Sequence, residues 1–291
     1  MNDYIIATAS TCDLEREWLD HHGVPMISYT FEIDGNVFED DCRRATRDKI
    51  YRALRDGKMP NTSQITTYSY YEFFKSLLSQ GKPVVFVDMD KAISSSYFNS
   101  ERAAEQIREE MPGAPALYIM DTRCITTGLG LLLKKMVAMH ENGSDIEEVI
   151  AWAETNKLNI AHRFLIDDLS WLRKGGRLSN ASSFIGSILS IKPLIYVDGD
   201  GCLVAWDKCR GKKKAMRHLL ERAALEIEEY NVDEIILSHS DCLEDGRKWL
   251  DMIQERFPGA KVSLQELGPT IACHVGPGFL SIVYIAGLRC A

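Results

Sequence analysis

The first 160 residues alternate apolar segments with amphipathic ones, and this alternation restricts the possible fold more than any other feature of the chain. The apolar runs 4–7, 83–89 and 116–121 are typical of buried strands, and each precedes a segment with helical periodicity. Strands separated by helices in this way form a mostly parallel sheet with both faces covered. Residues 25–33 are predicted to form one further strand, which turns back at Asp34-Gly35-Asn36.

The pattern changes after about residue 159. Residues 194–206 predict an antiparallel hairpin, in which Asp198-Gly199-Asp200-Gly201 joins two apolar segments. Further strand and helix signals follow, which indicate an α+β region with a mixed or antiparallel sheet. We therefore predict an N-terminal α/β domain over residues 1–160 and a C-terminal α+β domain over residues 161–291. No Pro- or Ser-rich linker separates them, so we expect a tight interface.

Charge and composition exclude several classes of function. The chain carries 34 basic and 42 acidic residues, a formal net charge of −8, so it is not expected to bind nucleic acid. Its longest apolar runs, such as 129–133, are far shorter than the roughly 20 residues that span a bilayer, and the N-terminus does not resemble a signal peptide. The eight cysteines include no C-x-x-C pair. We predict a cytoplasmic protein with reduced thiols, no metal, no cofactor and no stable membrane insertion.

Three polar clusters adjoin apolar segments and are candidates for a binding site. They are residues 61–64, the serines Ser94, Ser95 and Ser96, and the segment 274–278, which begins with His274. In an open α/β sheet, ligands bind beyond the carboxyl ends of the strands, where hydroxyl groups can hold a carboxylate or a phosphate. A histidine on a glycine-proline turn can donate to the same anion. The alternative is structural, with serines that cap helices and a histidine that occupies a turn.

Two short basic segments stand out in this acidic chain. Their basic residues are Arg173, Lys174, Arg177, Arg210, Lys212, Lys213 and Lys214. They either dock a partner with acidic or phosphate groups or form ordinary solvated surface. The three lysines stand at the start of a predicted helix, where they oppose the helix dipole, and this favours a functional role.

The sequence contains no recognisable catalytic constellation. It has no G-x-S-x-G turn, no Walker loop, no G-x-G-x-x-G after the first strand and no H-x-x-x-H pair. No nucleophile is paired with a base. We therefore predict no catalytic residues, and carriage of a ligand in preference to catalysis.

Eight short motifs occur in order along nearly the whole chain. They are TASTCD at 8–13, TSQ at 62–64, ISSSY at 93–97, DT with GLG at 121–130, LRKGGRLS at 172–179, IKP at 191–193, RGKKKA at 210–215 and HVGPG at 274–278. Together they resemble the DegV family, which includes the fatty-acid-binding subunits of bacterial fatty acid kinase. Three positions depart from the family pattern: Ala9 stands in place of an aspartate, and Ser95 and Ser96 replace a glycine-threonine pair.

The resemblance implies a fatty acid in a slot between the two domains. Its carboxylate is expected to be held by Thr62, Ser94 and His274, with Ser95 and Ser96 as additional donors. A buried carboxylate without donors costs several kcal/mol, so convergent donors are physically required. The expected ligand has roughly 14 to 18 carbons, because each buried CH₂ contributes about 0.8 kcal/mol.

The resemblance also implies a protein partner. An ATP-dependent fatty acid kinase subunit is expected to phosphorylate the bound carboxylate, so that the ATP chemistry resides in the partner. The residues expected to dock it are Arg173, Lys174, Arg177, Arg210 and Lys213. Two other functions stay open: an enzyme that acts on a small lipid-like or phosphorylated anion in the same crevice, and a lipid sensor that works without a kinase.

Overall fold

The computed structural model describes residues 3–177 and 191–289; Leu178 and Ser179 of the LRKGGRLS motif, and Cys290, lie outside them. The strands in this part of the chain are β1 (Ile5–Ala9), β2 (Met26–Ile27), β3 (Thr30–Ile33), β4 (Asn36–Glu39), β5 (Asn61–Ser63), β6 (Val84–Asp88), β7 (Leu117–Asp121), β8 (Ile160–Leu165), β9 (Ile191–Val197), β10 (Leu203–Arg210), β11 (Glu234–His239), β12 (Lys261–Glu266) and β13 (Leu280–Ile285). The α-helices are α1 (Arg16–His21), α2 (Arg44–Arg55), α3 (Thr67–Leu78), α4 (Ser96–Glu110), α5 (Thr126–Glu141), α6 (Ile146–Asn156), α7 (Ser170–Lys174), α8 (Lys212–Glu229), α9 (Leu243–Arg256) and α10 (Pro269–Val275). Within these two ranges, no helix is both long and apolar enough to cross a lipid bilayer.

A four-stranded sheet forms the core of the first half, and the predicted parallel arrangement is confirmed. Its strand order is β2-β1-β6-β7, and every neighbouring pair is parallel. Strand β6 is buried at every position. Side chains of α3 and α5 contribute to the same core, so helices shield the strand from water. This explains why β6 is apolar almost throughout and does not alternate.

The prediction of a single strand over residues 25–33 is wrong. The chain leaves the parallel sheet after β2, and β3 pairs antiparallel with β4 and β5 in a separate three-stranded sheet. Thr62 lies in this small sheet, opposite Phe31. A short strand has the same two-residue periodicity in either sheet, so the sequence pattern does not reveal where the chain changes partners.

A six-stranded mixed sheet occupies the second half. Its order is β10-β9-β8-β13-β11-β12, with β11 and β12 parallel and the other neighbours antiparallel. The predicted hairpin is confirmed, since β9 and β10 pair antiparallel next to the turn, with Val197 opposite Leu203. These strands begin at residue 160, whereas those of the other two sheets end by residue 121. The division into domains at 160 and 161 stays a prediction.

Helices α5 and α10 bring the two halves into contact. Helix α5 packs against β8, β11 and β13 of the six-stranded sheet. Gly128 permits this approach, because a Cβ atom there would lie 1.9 Å from Nε2 of His162. Helix α10 follows β12 in the chain but packs against α2, β3 and β5 of the first half. Each half therefore contributes a helix to the junction between them.

Candidate functional site

A largely apolar cavity lies at this junction. It encloses about 630 Å³ of space not occupied by atoms, within the range of about 300 to 1,000 Å³ that is usual for ligand pockets. The space is narrow, because the centre of a water-sized sphere can occupy only about 60 Å³ of it. Both halves supply its apolar wall, through Met89, Ile93, Ile125, Phe164, Leu172 and Phe279. A thin, flexible hydrocarbon fits these walls better than a compact ring system does.

Polar side chains face the same cavity, and they include the three residues expected to bind a carboxylate. Thr62, Ser94 and His274 all line it. Oγ1 of Thr62 lies 2.9 Å from Nε2 of His274. Oγ of Ser94 lies 3.0 Å from the hydroxyl of Tyr29. The fold therefore brings side chains from β5, from the loop after β6 and from α10 to one space.

Two glycines allow His274 to lie where it does. A Cβ atom at Gly175 would stand 2.3 Å from Nδ1 of His274, so only glycine leaves room for the ring. Gly276 ends helix α10 with φ 65°, and a Cβ atom there would clash with the Trp171 ring. The G-G of one motif and the G-P-G of another are thus explained by the packing around His274.

Buried carboxyl groups hold the N-terminal end of α10. The Gly268 amide donates to Asp13 over 3.0 Å, and Asp13 also accepts a hydrogen bond of 2.5 Å from Thr126 of α5. Thr270 donates to Asp40 through its amide and its hydroxyl, over 3.1 and 2.6 Å. Burial raises the pKa of both acids, that of Asp13 to about 7. Side chains from the first half therefore fix the helix that carries His274.

A cationic side chain completes the polar end of the cavity. Arg177 lines the cavity and donates from Nε to the carbonyl oxygen of Ile93 over 3.2 Å. Burial, and secondarily the Arg177 charge, lower the pKa of His274 to about 4. The imidazole is thus neutral at pH 7, while the guanidinium stays charged because arginine ionises far above this pH. This end of the cavity offers hydroxyl donors and one positive charge to an anion.

The other residues expected at the site lie elsewhere. Ser95 is exposed and is outside the wall of the cavity. Ser96 is buried behind the wall, and its Oγ accepts a hydrogen bond of 3.1 Å from the Ile65 amide. The residues expected to dock a partner, other than Arg177, are exposed on the surface: Arg173, Lys174, Arg210 and Lys213. Arg177 differs from them because it is partly buried in the cavity wall.

Three further polar residues line the cavity that the sequence patterns did not single out. They are Tyr29, Thr126 and Thr270. Tyr29 lies in the short segment between β2 and β3, where the chain changes sheets, and nothing in a one-dimensional pattern links it to Ser94. Thr126 and Thr270 sit at the starts of helices α5 and α10, where a threonine is ordinarily taken for a cap.

No metal site accompanies the cavity in the described ranges. They contain no group of three or more His, Cys, Asp or Glu side chains that could hold a metal ion. The seven described cysteines form no disulfide. The chemistry of this site thus rests on hydroxyls, an imidazole and a guanidinium.

Comparison with known proteins agrees with this architecture. A model of the DegV family, described as uncharacterised proteins, matches residues 4–287. A DegV domain-containing protein of Clostridium perfringens is 32% identical over 290 residues, 99% of each chain. Among solved structures, a stearic acid-binding protein of Eubacterium ventriosum has a TM-score of 0.88 at 24% identity, covering 98% of each chain. The structure of a DegV family protein of Thermus thermophilus, which concerns its fatty acid binding, has a TM-score of 0.86 at 24% identity over 98% of this chain and 99% of that one. The chain belongs to the DegV family.

Proposed function

We propose that this protein binds one fatty acid, with the acyl chain in the cavity between its two halves and the carboxylate against Thr62, Ser94 and His274. The observation that carries the proposal is the arrangement of these three donors at one narrow apolar space. Buried CH₂ groups supply affinity at about 0.8 kcal/mol each, and the polar end sets the orientation. Two structures of the same fold come from proteins described as binding stearic acid or fatty acid, which supports this ligand class.

Native mass spectrometry of the freshly purified protein tests this directly. We expect an added mass equal to one fatty acid of roughly 14 to 18 carbons, released on denaturation and identified in the organic extract. The control is the same protein after delipidation, which should regain the mass on incubation with palmitate. A preparation that is free of lipid and takes up no palmitate would contradict the proposal.

We further propose that the protein presents the bound carboxylate to a kinase, and that the phosphoryl transfer itself takes place on the partner's ATP. A polar recess supports access to the head group. It is lined in part by Gln64 and Ser95, and it shares Arg177 and Ile93 with the wall of the cavity. The kinase can therefore reach the polar end of the cavity from the surface without opening the apolar part.

The exposed cations are the proposed docking residues for that kinase. Exchanging Arg210 and Lys213 for glutamate should slow association and reduce its salt dependence, because exposed charges act mainly on encounter. We expect acyl-phosphate formation at subsaturating kinase to fall by about tenfold, with palmitate affinity unchanged. The measurement is the rate at several salt concentrations, and the matched control is Lys75→Glu with Arg108→Glu, two exposed cations on α3 and α4. Equal rates for the two double variants would remove Arg210 and Lys213 from the interface.

One contact favours a second candidate function, hydrolysis of an acyl compound. Thr62 and His274 are at the distance of a nucleophile and its base, 2.9 Å. Catalytic pairs of this kind ordinarily include a third group that orients the histidine, but Nδ1 of His274 has no hydrogen-bond partner in the part of the chain that the structure describes. Release of p-nitrophenol from p-nitrophenyl palmitate, lost in Thr62→Val, would establish hydrolysis. We favour binding because the orienting group is lacking.

A further inference from the structure

A row of buried hydroxyls runs from the cavity to a carboxyl group that lies behind it. Ser94 lines the cavity, and its Oγ is 3.0 Å from the hydroxyl of Tyr29. The Tyr29 hydroxyl forms a side-chain hydrogen bond with Tyr70. The Tyr70 hydroxyl lies 3.3 Å from Oδ2 of Asp88 at the end of β6. All four side chains are at most 4% exposed, so water does not supply alternative partners.

The hydroxyls in such a row constrain one another. Each carries one proton, so a hydroxyl that donates in one direction must accept from the other. One acceptor position of Ser94 is already taken by the Ser96 amide at 3.3 Å. The remaining choice is whether Ser94 donates to Tyr29 or accepts from it. If it accepts, its own proton is free to point into the cavity.

Asp88 decides between the two directions. Its Oδ1 accepts a hydrogen bond of 2.8 Å from the Met89 amide, which leaves Oδ2 to face Tyr70. An ionised Asp88 can only accept, so it draws the Tyr70 proton and turns the row away from the cavity. A protonated Asp88 can donate to Tyr70, and the row then points toward the cavity. A fatty acid carboxylate also can only accept, and it therefore selects the second direction.

We propose that Tyr29, Tyr70 and Asp88 form a proton-coupled relay that turns the Ser94 hydroxyl toward the carboxylate of the ligand. Binding of the ionised fatty acid then takes up one proton from solvent, which is held on Oδ2 of Asp88. This inference rests on the proposed function, because it needs a carboxylate at Ser94. Tyr29, Tyr70 and Asp88 act as positioning residues behind the three donors.

The surroundings of Asp88 favour uptake of this proton. Besides the two tyrosines of the relay, the groups that face it are Tyr97 and Ser100 of α4 and Asp121 of β7. None of these is a cation, and Lys91 and Arg123 form their ion pairs with Asp121. Burial accordingly raises the pKa of Asp88 to about 7. A second negative charge at the far end of the relay raises it further, so binding above pH 7 is accompanied by proton uptake.

The test is the pH dependence of affinity for palmitate and for hexadecan-1-ol, measured by calorimetry between pH 6.5 and 9. In the wild type, palmitate affinity should fall with rising pH by up to about tenfold per unit above pH 7, the limit for one proton. The fatty acid itself ionises near pH 4.3, so it does not titrate in this range. Hexadecan-1-ol both donates and accepts, is satisfied by either direction of the relay, and should show no slope.

Two variants interrupt the relay in different ways. Tyr29→Phe removes the link to Ser94 and should make palmitate affinity independent of pH. Asp88→Asn should also abolish the slope, but with high affinity retained at pH 9, because an amide group can donate permanently to Tyr70. The control Tyr284→Phe removes another buried hydroxyl, which donates to Glu226 over 2.7 Å outside the cavity wall, and should keep the wild-type slope.

The outcomes separate this inference from the proposed function. If the wild type binds palmitate with a slope that persists in Tyr29→Phe and Asp88→Asn, the proton goes to another group near the ligand, such as His274 or Asp13, and the relay is wrong. A wild type without any slope also overturns it. If the wild type binds neither ligand, the proposed function fails before the relay is reached. Binding of hexadecan-1-ol by each variant shows that it is folded.

Discussion

Replacing Thr62 with valine and Ser94 with alanine in one variant should lower the affinity for a fatty acid by about 30-fold or more. Each substitution removes one neutral donor to the carboxylate, and a lost donor in a buried site costs about 1 to 3 kcal/mol. Both donors serve one ligand group, so the two effects need not add. Displacement of a fluorescent fatty acid by palmitate measures the change.

The matched control carries the same two substitutions on exposed helix faces. Thr155→Val and Ser76→Ala each remove a hydroxyl that donates to a carbonyl oxygen of its own helix, away from the cavity. This control should bind palmitate as the wild type does. An unchanged affinity in Thr62→Val with Ser94→Ala would show that the carboxylate lies elsewhere, and the orientation proposed for the ligand would have to be reversed or abandoned.

The sequence predicted the architecture well where local patterns determine it. The apolar run 83–89 predicts a strand covered on both faces, and β6 is buried throughout. The Asp-Gly turn at 198–201 predicts a hairpin, and β9 and β10 form it. Both signals are contained within a few residues of chain. The change of sheet between β2 and β3 was missed because it depends on which distant strand each segment meets.

The candidate site follows the same division. Thr62, Ser94 and His274 were recognised because the family resemblance marks them, and the cavity places them together. The supporting residues were not recognised. Tyr29 and Asp88 act through tertiary contacts across 65 and 18 positions of sequence, and their spacing carries no periodic signal. Buried polar networks of this kind become visible only once the fold is known.

A second buried network supports the site from the opposite side, and Arg47 is its cation. This side chain is 1% exposed. It donates to Glu15 and to the backbone carbonyl oxygens of Asp13 and Leu14. Its charge lowers the pKa of the Asp13 and Asp40 carboxyl groups, against the larger effect of burial. These are the two carboxyls that hold the start of α10.

Arg47→Ala should therefore lower the free energy of unfolding by about 3 to 5 kcal/mol at pH 8, because it leaves buried acids without their counter-charge. Urea unfolding measures the change. Arg44→Ala, on the same helix, removes an exposed arginine that pairs with Asp48 and Glu266 and should cost less than about 1 kcal/mol. The difference between the two variants isolates the contribution of burial.

The loss in Arg47→Ala should also depend on pH. Asp13 and Asp40 have folded-state pKa values above their ordinary ones, so the stability they contribute is present at low pH and is lost as pH rises through the folded-state pKa, about 7 for Asp13. Without Arg47 both values rise further, and more stability is lost across the same range. The deficit of the variant should thus be larger at pH 8 than at pH 5.5, where the two acids are largely protonated in both proteins.

Arg47→Met distinguishes charge from packing, because methionine retains much of the aliphatic stem of arginine and has no charge. We expect Arg47→Met to recover part of the stability at pH 5.5 and little of it at pH 8. If it matches the wild type at both values, the cation contributes nothing and the network is held by packing alone. The same variant bears on function: Asp13 and Asp40 fix the start of the helix that carries His274. Loss of their counter-charge should therefore weaken palmitate binding at pH 8, although Arg47 is outside the wall of the cavity.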